Sequence, residues 1–363
     1  MGFKCGIVGL PNVGKSTLFN ALTATMMAEA ANYPFCTIEP NIGRVSVPDK
    51  RLANLAEIAG SAKIIPVQIE FVDIAGLVKG ASKGEGLGNQ FLSHIREVDA
   101  VIHVVRCFED KDITHVEGSV DPVRDAELIE TELIFADLES IDKRMPALEK
   151  KAKIGDKIAI GQIEQLKLIK ELLLQGKPAR YAKIDKDELK LLQLITSKPM
   201  LYVCNVLEEE ASVGNELTEK MIEKARADNT QAIIISSKIE AEISSLEDEN
   251  EKQDFLETLG LTETGLSQII TSGYNLLNLF TFFTIGPKEA HAWTVKTGST
   301  AKQAAGVIHT DFEKGFIRAE TISYQDYITY KGEQGAKEAG RMRLEGKEYI
   351  VNDGDIFHFR FNV

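Results

Sequence analysis

A glycine-rich loop near the start of the chain constrains the fold more than any other feature. Residues 3–8 form an apolar run that predicts a short buried strand, and residues 9–17 follow with the spacing G-x-x-x-x-G-K-S. Apolar residues then recur at helical spacing from Leu18 onward. A strand, this loop and a helix in this order are typical of a phosphate-binding loop in an open, doubly wound α/β sheet.

Each part of this loop has a predicted role in binding phosphate. Gly9 and Gly14 allow the backbone to curl so that its N–H groups face an anion at the positive end of the new helix. Lys15 is expected to reach the β- and γ-phosphates of a nucleoside triphosphate, and the Ser16 hydroxyl to bind Mg²⁺. The predicted cofactor-binding residues of the loop are Asn12, Val13, Gly14, Lys15, Ser16 and Thr17.

A second motif supports the first. Residues 67–74 predict a strand that ends in D-I-A-G, with Asp73 expected to hold Mg²⁺ through water and the Gly76 N–H to contact the γ-phosphate. Residues 32–40, with two prolines and no periodicity, predict a loop in which Thr37 is the candidate for a second hydroxyl on Mg²⁺. The glycines that follow Asp73 predict either a segment that orders with nucleotide or a plain surface linker.

Two later strands end where GTPases recognise guanine. Residues 199–204 and 231–235 predict buried strands, and in GTPases such strands are followed by N-K-x-D and S-A-K. Here Val206 stands at the lysine position and Glu208 at the aspartate position. This change weakens a paired contact with guanine and argues against strict guanine specificity, without establishing adenine. The predicted base-contacting residues are Asn205, Val206, Glu208 and Ser236.

Taken together, these motifs resemble the YchF family of Obg-like ATPases, and the resemblance extends over essentially the whole chain. The matching segments are residues 9–17, 35–41, 73–81, 205–208 and 237–242. The resemblance implies an ATPase that prefers ATP to GTP, depends on Mg²⁺ and hydrolyses ATP slowly to ADP and phosphate. It also implies association with ribosomes, with the large subunit and ribosomal RNA as partners.

The residue that activates water is left open by the sequence. Leu77 occupies the place where many small GTPases have the glutamine that orients the attacking water, and a hydrocarbon side chain cannot do so. His115, in the polar loop after the strand predicted at 99–108, is therefore the predicted catalytic residue beside Lys15. K⁺ held at Asn12 is the second route, because relatives with asparagine at that position can hold K⁺ beside the phosphates.

The chain between residues 108 and 200 is too long for one connection, so a domain is expected to be inserted there. Apolar residues repeat at helical spacing from Ile134 to Leu148 and again from Ile163 to Leu173, which predicts two antiparallel helices. Pro146 is expected to kink the first helix or end its regular part. The hairpin is either a structural element or an arm that binds a partner.

The C-terminal region predicts short strands around Phe282, Trp293, Tyr349 and residues 357–361, with a helix at 300–309. It resembles the TGS domain that ends YchF-like proteins, a small β-grasp-type module. From Asn278 onward, 11 basic and 11 acidic residues balance. RNA backbone is a possible partner for a local basic face, and solvated surface charge is the alternative. The residues of that candidate face are Arg341, Arg343, Lys347 and Lys314.

Composition bounds the remaining possibilities. Lys and Arg total 42 against 55 for Asp and Glu, and the net charge of −13 opposes nonspecific binding to nucleic acid or to anionic membranes. The four cysteines have no zinc-binding spacing, and the chain has no run of apolar residues long enough to cross a membrane. We therefore expect a cytoplasmic protein. We also expect it to be a monomer.

The sequence thus predicts an α/β P-loop fold with an inserted helical coiled-coil hairpin and a C-terminal β-grasp-like TGS domain. The expected domains are 1–120 with 197–277 for nucleotide binding, 121–196 for the hairpin and 278–363 for the TGS domain. The expected function is that of a slow ATPase switch on the translation machinery. The alternatives are a GTPase of the same fold and a nucleotide-gated ribosome-binding module with negligible hydrolysis.

Overall fold

A computed structural model describes residues 3–30, 41–74, 87–113, 115, 118–246 and 248–362. The chain forms two compact units. The first contains Met1–Val45 and Glu70–Ile269, and the second contains Ser46–Ile69 and Ile270–Val363. The sequence analysis placed residues 46–69 in the nucleotide-binding domain, whereas in the structure this segment packs with the C-terminal region.

The described strands form two sheets, one in each unit. In the first unit the strand order is β2-β4-β1-β5-β6-β7, and in the second it is β11-β10-β12-β8-β9-β3. The strands are β1 (Phe3–Val8), β2 (Ile42–Ser46), β3 (Ile64–Ile65), β4 (Gln68–Asp73), β5 (Ala100–Arg106), β6 (Met200–Asn205), β7 (Ala232–Ile235), β8 (Leu279–Ile285), β9 (Ala290–Lys296), β10 (Phe316–Ser323), β11 (Arg343–Glu345) and β12 (Asp355–Phe361).

Helices cover or extend from these sheets. They are α1 (Lys15–Ala30), α2 (Lys50–Ala59), α3 (Leu87–Glu97), α4 (Pro122–Lys153), α5 (Lys157–Leu174), α6 (Lys186–Leu191), α7 (Glu216–Ala227), α8 (Ser237–Ser244), α9 (Glu249–Thr258), α10 (Gly265–Leu276), α11 (Ala301–Ile308), α12 (Thr310–Lys314), α13 (Tyr324–Thr329) and α14 (Glu333–Glu338). Within the described part of the chain, none of these helices combines the length and the apolar character needed to cross a membrane.

Parallel pairing in the first sheet brings several loops to one edge. β1 pairs with β5, β5 with β6 and β6 with β7, all parallel. Every residue of β5 and β6 is buried, as expected for central strands covered on both faces. Because parallel strands end on the same side of a sheet, the loops after β1, β5, β6 and β7 lie together.

The inserted segment forms the predicted hairpin. α4 begins at Pro122 after the capping residue Asp121, and the turn to α5 contains Gly155 with φ +87°. Pro146 lies inside α4 and does not end it. Proline removes one backbone hydrogen bond from the helix, and the packing of α4 against α5 compensates for this loss. The apolar residues that hold the two helices together include Ile134, Ile141, Leu166, Ile169 and Leu173.

The second unit is a mixed sheet with a helix on its apolar face. β8 and β12 are parallel, and β8 pairs antiparallel with β9. Thr300 caps α11, which confirms the helix predicted at 300–309. The stretch around Tyr349 forms only an isolated bridge, between Ile350 and Thr300, instead of the predicted strand. The α/β P-loop fold with an inserted hairpin and a C-terminal domain is thereby confirmed.

Candidate nucleotide site

The loop between β1 and α1 has a backbone that only glycine accommodates at its key position. Gly14 has φ +94°, and a Cβ atom there would lie 2.2 Å from the Asn205 Nδ2 atom. Asn12 also has a positive φ, +63°, a conformation that asparagine tolerates better than most residues. α1 begins at the next residue, Lys15, so the loop leads directly into a helix N-terminus that favours phosphate.

The two predicted phosphate motifs meet at an ion pair. The Lys15 Nζ atom contacts the Asp73 Oδ1 atom, and Lys15 is only 9% exposed. Asp73 ends β4, which lies beside β1 in the sheet. The carboxylate predicted to serve the metal therefore lies at the phosphate loop. Ser16 lies in the first turn of α1 and is exposed.

Three sequence predictions fall outside the described residues. Thr37, the candidate for a second hydroxyl on Mg²⁺, is one of them. Gly76 and Leu77 are the others, together with the rest of the glycine-containing segment after residue 74. Their roles stay predictions.

Asn205 connects the phosphate loop to the loop after β7. Its Nδ2 atom donates to the Val13 carbonyl at 2.9 Å, and its Oδ1 atom accepts from the Ser237 N–H at 2.9 Å. The side chain is 5% exposed, so both bonds are shielded from water. The sequence analysis singled out Asn205 for base contact, and the structure gives it a bracing role between two edges of the site.

A cavity of about 580 Å³ opens at this edge of the sheet. Its volume is in the range of pockets that bind cofactors. From the phosphate loop and α1, it is lined by the predicted site residues Asn12, Gly14 and Thr17. From the loops after β6 and β7, it is lined by the predicted site residues Asn205, Val206, Glu208 and Ser236. The structure thus brings together residues more than 190 positions apart in the sequence.

The base end of this cavity differs from that of a guanine site. Val206 is 3% exposed, and Glu208 forms an ion pair with Lys238. That contact raises the pKa of Lys238. The hydroxyl groups of Ser236 and Ser237 are buried and have no hydrogen-bond partner among the residues that the structure describes. The polar side chains that line this end of the cavity are those of Asn205, Glu208, Glu209, Ser236, Ser237 and Lys238.

His115 has a well-defined partner elsewhere. Its Nε2 atom lies 2.8 Å from the Asp125 Oδ2 atom, in the first turn of α4. The His115 side chain is 7% exposed and that of Asp125 2%. His115 is not among the described residues that line the cavity. The structure therefore holds this histidine on the Asp125 carboxylate, and its role in hydrolysis stays a prediction.

Sequence reasoning missed the wall that the loop after β5 contributes. Phe108, Asp110 and Ile113 line the cavity, and Arg106 bonds to the backbone of the same loop. No motif marks these residues. The available signal was the position of the loop at the carboxyl end of a central strand, where parallel sheets place their ligands.

Comparison with known proteins decides the family. Residues 4–137 match a family described as 50S ribosome-binding GTPase, and residues 279–362 match YchF-GTPase_C, a protein of unknown function (DUF933). Proteins named ribosome-binding ATPase YchF from Bacillus subtilis and Haemophilus ducreyi are 56% and 57% identical to this chain, over 100% of both chains in each case. The chain belongs to the YchF family. The family predicted from the sequence motifs is thus confirmed.

A solved YchF structure agrees with this assignment. The structure described as the Schizosaccharomyces pombe YchF GTPase has a TM-score of 0.88 and 38% identity, and it covers 99% of this chain and 98% of its own. The bacterial relatives are named ATPases and the yeast protein a GTPase. The names of these YchF relatives therefore differ in the nucleotide, ATP or GTP.

Proposed function

We propose that this chain is a Mg²⁺-dependent P-loop ATPase that binds ribosomes. The fold and the cavity support nucleotide binding, and the curated bacterial relatives at 54–57% identity are named ribosome-binding ATPases. The single observation that carries the choice of ATP is the pairing of Glu208 with Lys238 beside the buried Val206. We further propose that the protein is a cytoplasmic monomer and that residues 278–363 are a TGS domain.

The choice of ATP rests on hydrogen-bond complementarity. Guanine presents two adjacent N–H groups to its recognition site, and a free carboxylate is the natural acceptor for both. Glu208 already shares its charge with Lys238, so pairing with guanine would have to compete with that ion pair. Adenine presents one amino group and ring acceptors, which neutral hydroxyls such as those of Ser236 and Ser237 can serve.

Residues at the phosphate loop fit Mg²⁺. Mg²⁺ prefers oxygen ligands and is usually held by one or two protein groups with phosphate oxygens and water. The Ser16 hydroxyl and the Asp73 carboxylate supply such oxygens. When bound, the metal would neutralise charge on the phosphates, and Thr37 remains a proposed further ligand.

Hydrolysis needs groups that orient water and stabilise charge. We assign charge stabilisation on the transferred phosphoryl group to Lys15, which must exchange Asp73 for phosphate oxygens when nucleotide binds. We assign a role in activating water to His115, and the alternative is K⁺ held at Asn12.

The ATP assignment is tested by titrating the protein with ATP and GTP separately. We expect ATP to bind at least about tenfold more tightly, a difference of about 1.4 kcal/mol. The double variant Val206→Lys with Glu208→Asp restores the residue types of a guanine site and should reduce this preference. Tighter binding of GTP than ATP by the unmodified chain would overturn the assignment.

A matched control accompanies this double variant. Val213→Lys with Glu219→Asp makes the same two changes at exposed positions, with Val213 81% exposed. We expect this control to keep the ATP preference of the unmodified chain. Thermal melting of both double variants confirms that they fold, which matters because Val206 is buried.

His115→Ala is expected to lower ATP turnover by about 100-fold while leaving the dissociation constant for ATP nearly unchanged. A group that acts only in the transition state gives this pattern. Steady-state kinetics and equilibrium titration measure the two quantities. His309→Ala, at an exposed histidine of the second unit, is the control. Equal turnover in His115→Ala and the unmodified chain would shift the role to K⁺ at Asn12 or to a group lent by the ribosome.

A nucleotide-gated ribosome-binding module with negligible hydrolysis is the second candidate. Leu77, in place of a water-orienting glutamine, favours it. Turnover measured with and without purified ribosomes separates the two, because a gated module stays inactive in both conditions. Pelleting with ribosomes in the presence of ATP or ADP tests the partner directly.

The predicted basic face offers limited support for a ribosomal RNA contact. Arg343 lies 3.0 Å from Glu345, Arg341 lies 3.9 Å from Asp326, and Lys347 has Glu348 as its acidic neighbour. Each of these cations therefore has an acidic partner in the second unit. We propose the large subunit and its RNA as partners on the strength of the relatives' names, without assigning the contact to this face.

A further inference from the structure

The last residue of β5 is a buried arginine that bonds only to nearby backbone in the contacts described. Arg106 is 1% exposed. Its Nε atom donates to the Phe108 carbonyl at 3.0 Å, its Nη1 atom to the Ile113 carbonyl at 2.9 Å and its Nη2 atom to the Asp110 carbonyl at 3.1 Å. One planar guanidinium group therefore gathers three carbonyls from residues 107–113, which we call the β5 loop.

The β5 loop forms one wall of the nucleotide cavity. The same three residues whose carbonyls accept from Arg106 also line the cavity. The guanidinium carbon of Arg106 lies over the Phe108 ring, 4.6 Å from its centre, so the arginine also packs against that ring. Removing the guanidinium group would release the wall at three points together.

Two further bonds fix the β5 loop to the nucleoside side of the cavity. The Cys107 N–H donates to the Asn205 carbonyl at 2.8 Å. The Asn215 Nδ2 atom, at the start of α7, donates to the Cys107 carbonyl at 2.7 Å. The loop is thus anchored to the end of β6 and to the start of α7, next to the predicted base-contacting residues.

Burying a guanidinium group is unfavourable, and the pKa of Arg106 is lowered by its burial. The nearby carboxylates of Asp110, Asp125 and Glu109 act in the opposite direction. A hydrophobic residue would pack here without this desolvation cost, but it could not hold three carbonyls in one orientation. Lysine has a single nitrogen atom and cannot reproduce the fork. The arrangement therefore fixes loop geometry.

We propose that Arg106 is a positioning residue that holds the β5 loop against the nucleoside part of a bound nucleotide. The inference rests on the proposed nucleotide-binding function and does not depend on whether the base is adenine or guanine. Arg106 itself does not line the cavity among the described residues, so its effect passes through Phe108, Asp110 and Ile113.

The test compares ligands with and without a nucleoside. Arg106→Met keeps much of the side-chain length and removes the hydrogen bonds. We expect it to raise the dissociation constants of ADP and GDP by about tenfold or more, while that of inorganic tripolyphosphate changes by less than about threefold. KM for ATP should rise with kcat nearly unchanged, and Arg106→Lys should fall between Arg106→Met and the unmodified chain.

Arg144→Met is the matched control. Arg144 also donates to a backbone carbonyl, that of Leu192, but it lies in the hairpin away from the cavity. Its substitution should leave the dissociation constants of ADP, GDP and tripolyphosphate unchanged. Equal weakening of ADP and tripolyphosphate by Arg106→Met would overturn the proposal, because it would show an effect on the whole site. Unchanged ADP and GDP binding would also overturn it.

A measurement on the unmodified chain covers the case in which Arg106→Met fails to fold. Hydrogen–deuterium exchange of residues 107–113 is compared with ADP, with tripolyphosphate and without ligand. We expect protection by ADP and none by tripolyphosphate. Protection by both ligands, or by neither, would contradict the proposed contact with the nucleoside. If GDP protects and binds better than ADP, the choice of ATP fails while the role of Arg106 stands.

Discussion

Lys15→Ala is expected to lower ATP affinity by at least about 100-fold and to remove measurable turnover. Lys15 is the cation that the loop supplies to the β- and γ-phosphates, and charge-assisted hydrogen bonds are worth about 1.5–3 kcal/mol each. Without it, the phosphate charge is left to backbone N–H groups and the N-terminus of α1. Isothermal titration with ATP and a phosphate-release assay measure the two effects.

The control for Lys15→Ala is Lys220→Ala, at an exposed position on α7. It changes the net charge of the protein by the same amount and should leave ATP affinity unchanged. The Lys15 variant also leaves Asp73 without its partner, so its stability is measured by urea unfolding in parallel. A folded Lys15→Ala variant that binds ATP normally would show that this loop is not the phosphate site.

Asn205→Ala is expected to destabilise the folded chain by about 2–4 kcal/mol and to weaken nucleotide binding together with it. The substitution removes two buried hydrogen bonds and leaves the Val13 carbonyl and the Ser237 N–H without their partner. Each such loss costs about 1–3 kcal/mol. Urea unfolding without nucleotide measures the first effect, and ADP titration measures the second.

Asn250→Ala is the matched control for this substitution. The Asn250 side chain is exposed on α9 and bonds to Asp248, so its loss should change the free energy of unfolding by less than about 0.5 kcal/mol. If Asn205→Ala is as stable as this control, Asn205 does not brace the two loops. If it is unstable yet binds ADP normally once folded, the brace serves the fold and not the site.

The sequence was most informative where local pattern and burial agree. β1 matches its predicted bounds, and β6 and β7 match theirs within one residue. Central parallel strands are covered on both faces, so they appear as short apolar runs that polar loops interrupt. The G-x-x-x-x-G-K-S spacing of residues 9–16 is found in few structures other than phosphate-binding loops, so it predicted this loop. The hairpin was predictable because each helix repeats its apolar residues toward the other.

The parts that were missed depend on contacts that leave no local pattern. Residues 46–69 belong to the second unit, where β3 pairs with β9 through contacts such as Ile64 with Ala290. No residue near Ile64 in the sequence predicts this strand pairing. Arg106 bonds to three carbonyls, and carbonyls are present at every residue, so no side-chain type marks its targets. The pairing of Glu208 with Lys238 likewise joins two loops that only the sheet brings together.

The length of α4 gives the first unit a lever arm. The helix has 32 residues and therefore spans about 48 Å, from Pro122 to Lys153, with Asp125 in its first turn and the turn at Ile154 directly after it. Asp125 holds His115, and at the far end the Ile154 side chain is 85% exposed. A rotation of about 5° at the first turn would carry the far end through about 4 Å, since displacement grows in proportion to distance. A shift of that size exceeds the reach of a hydrogen bond, so whatever contacts the far end would be gained or lost outright.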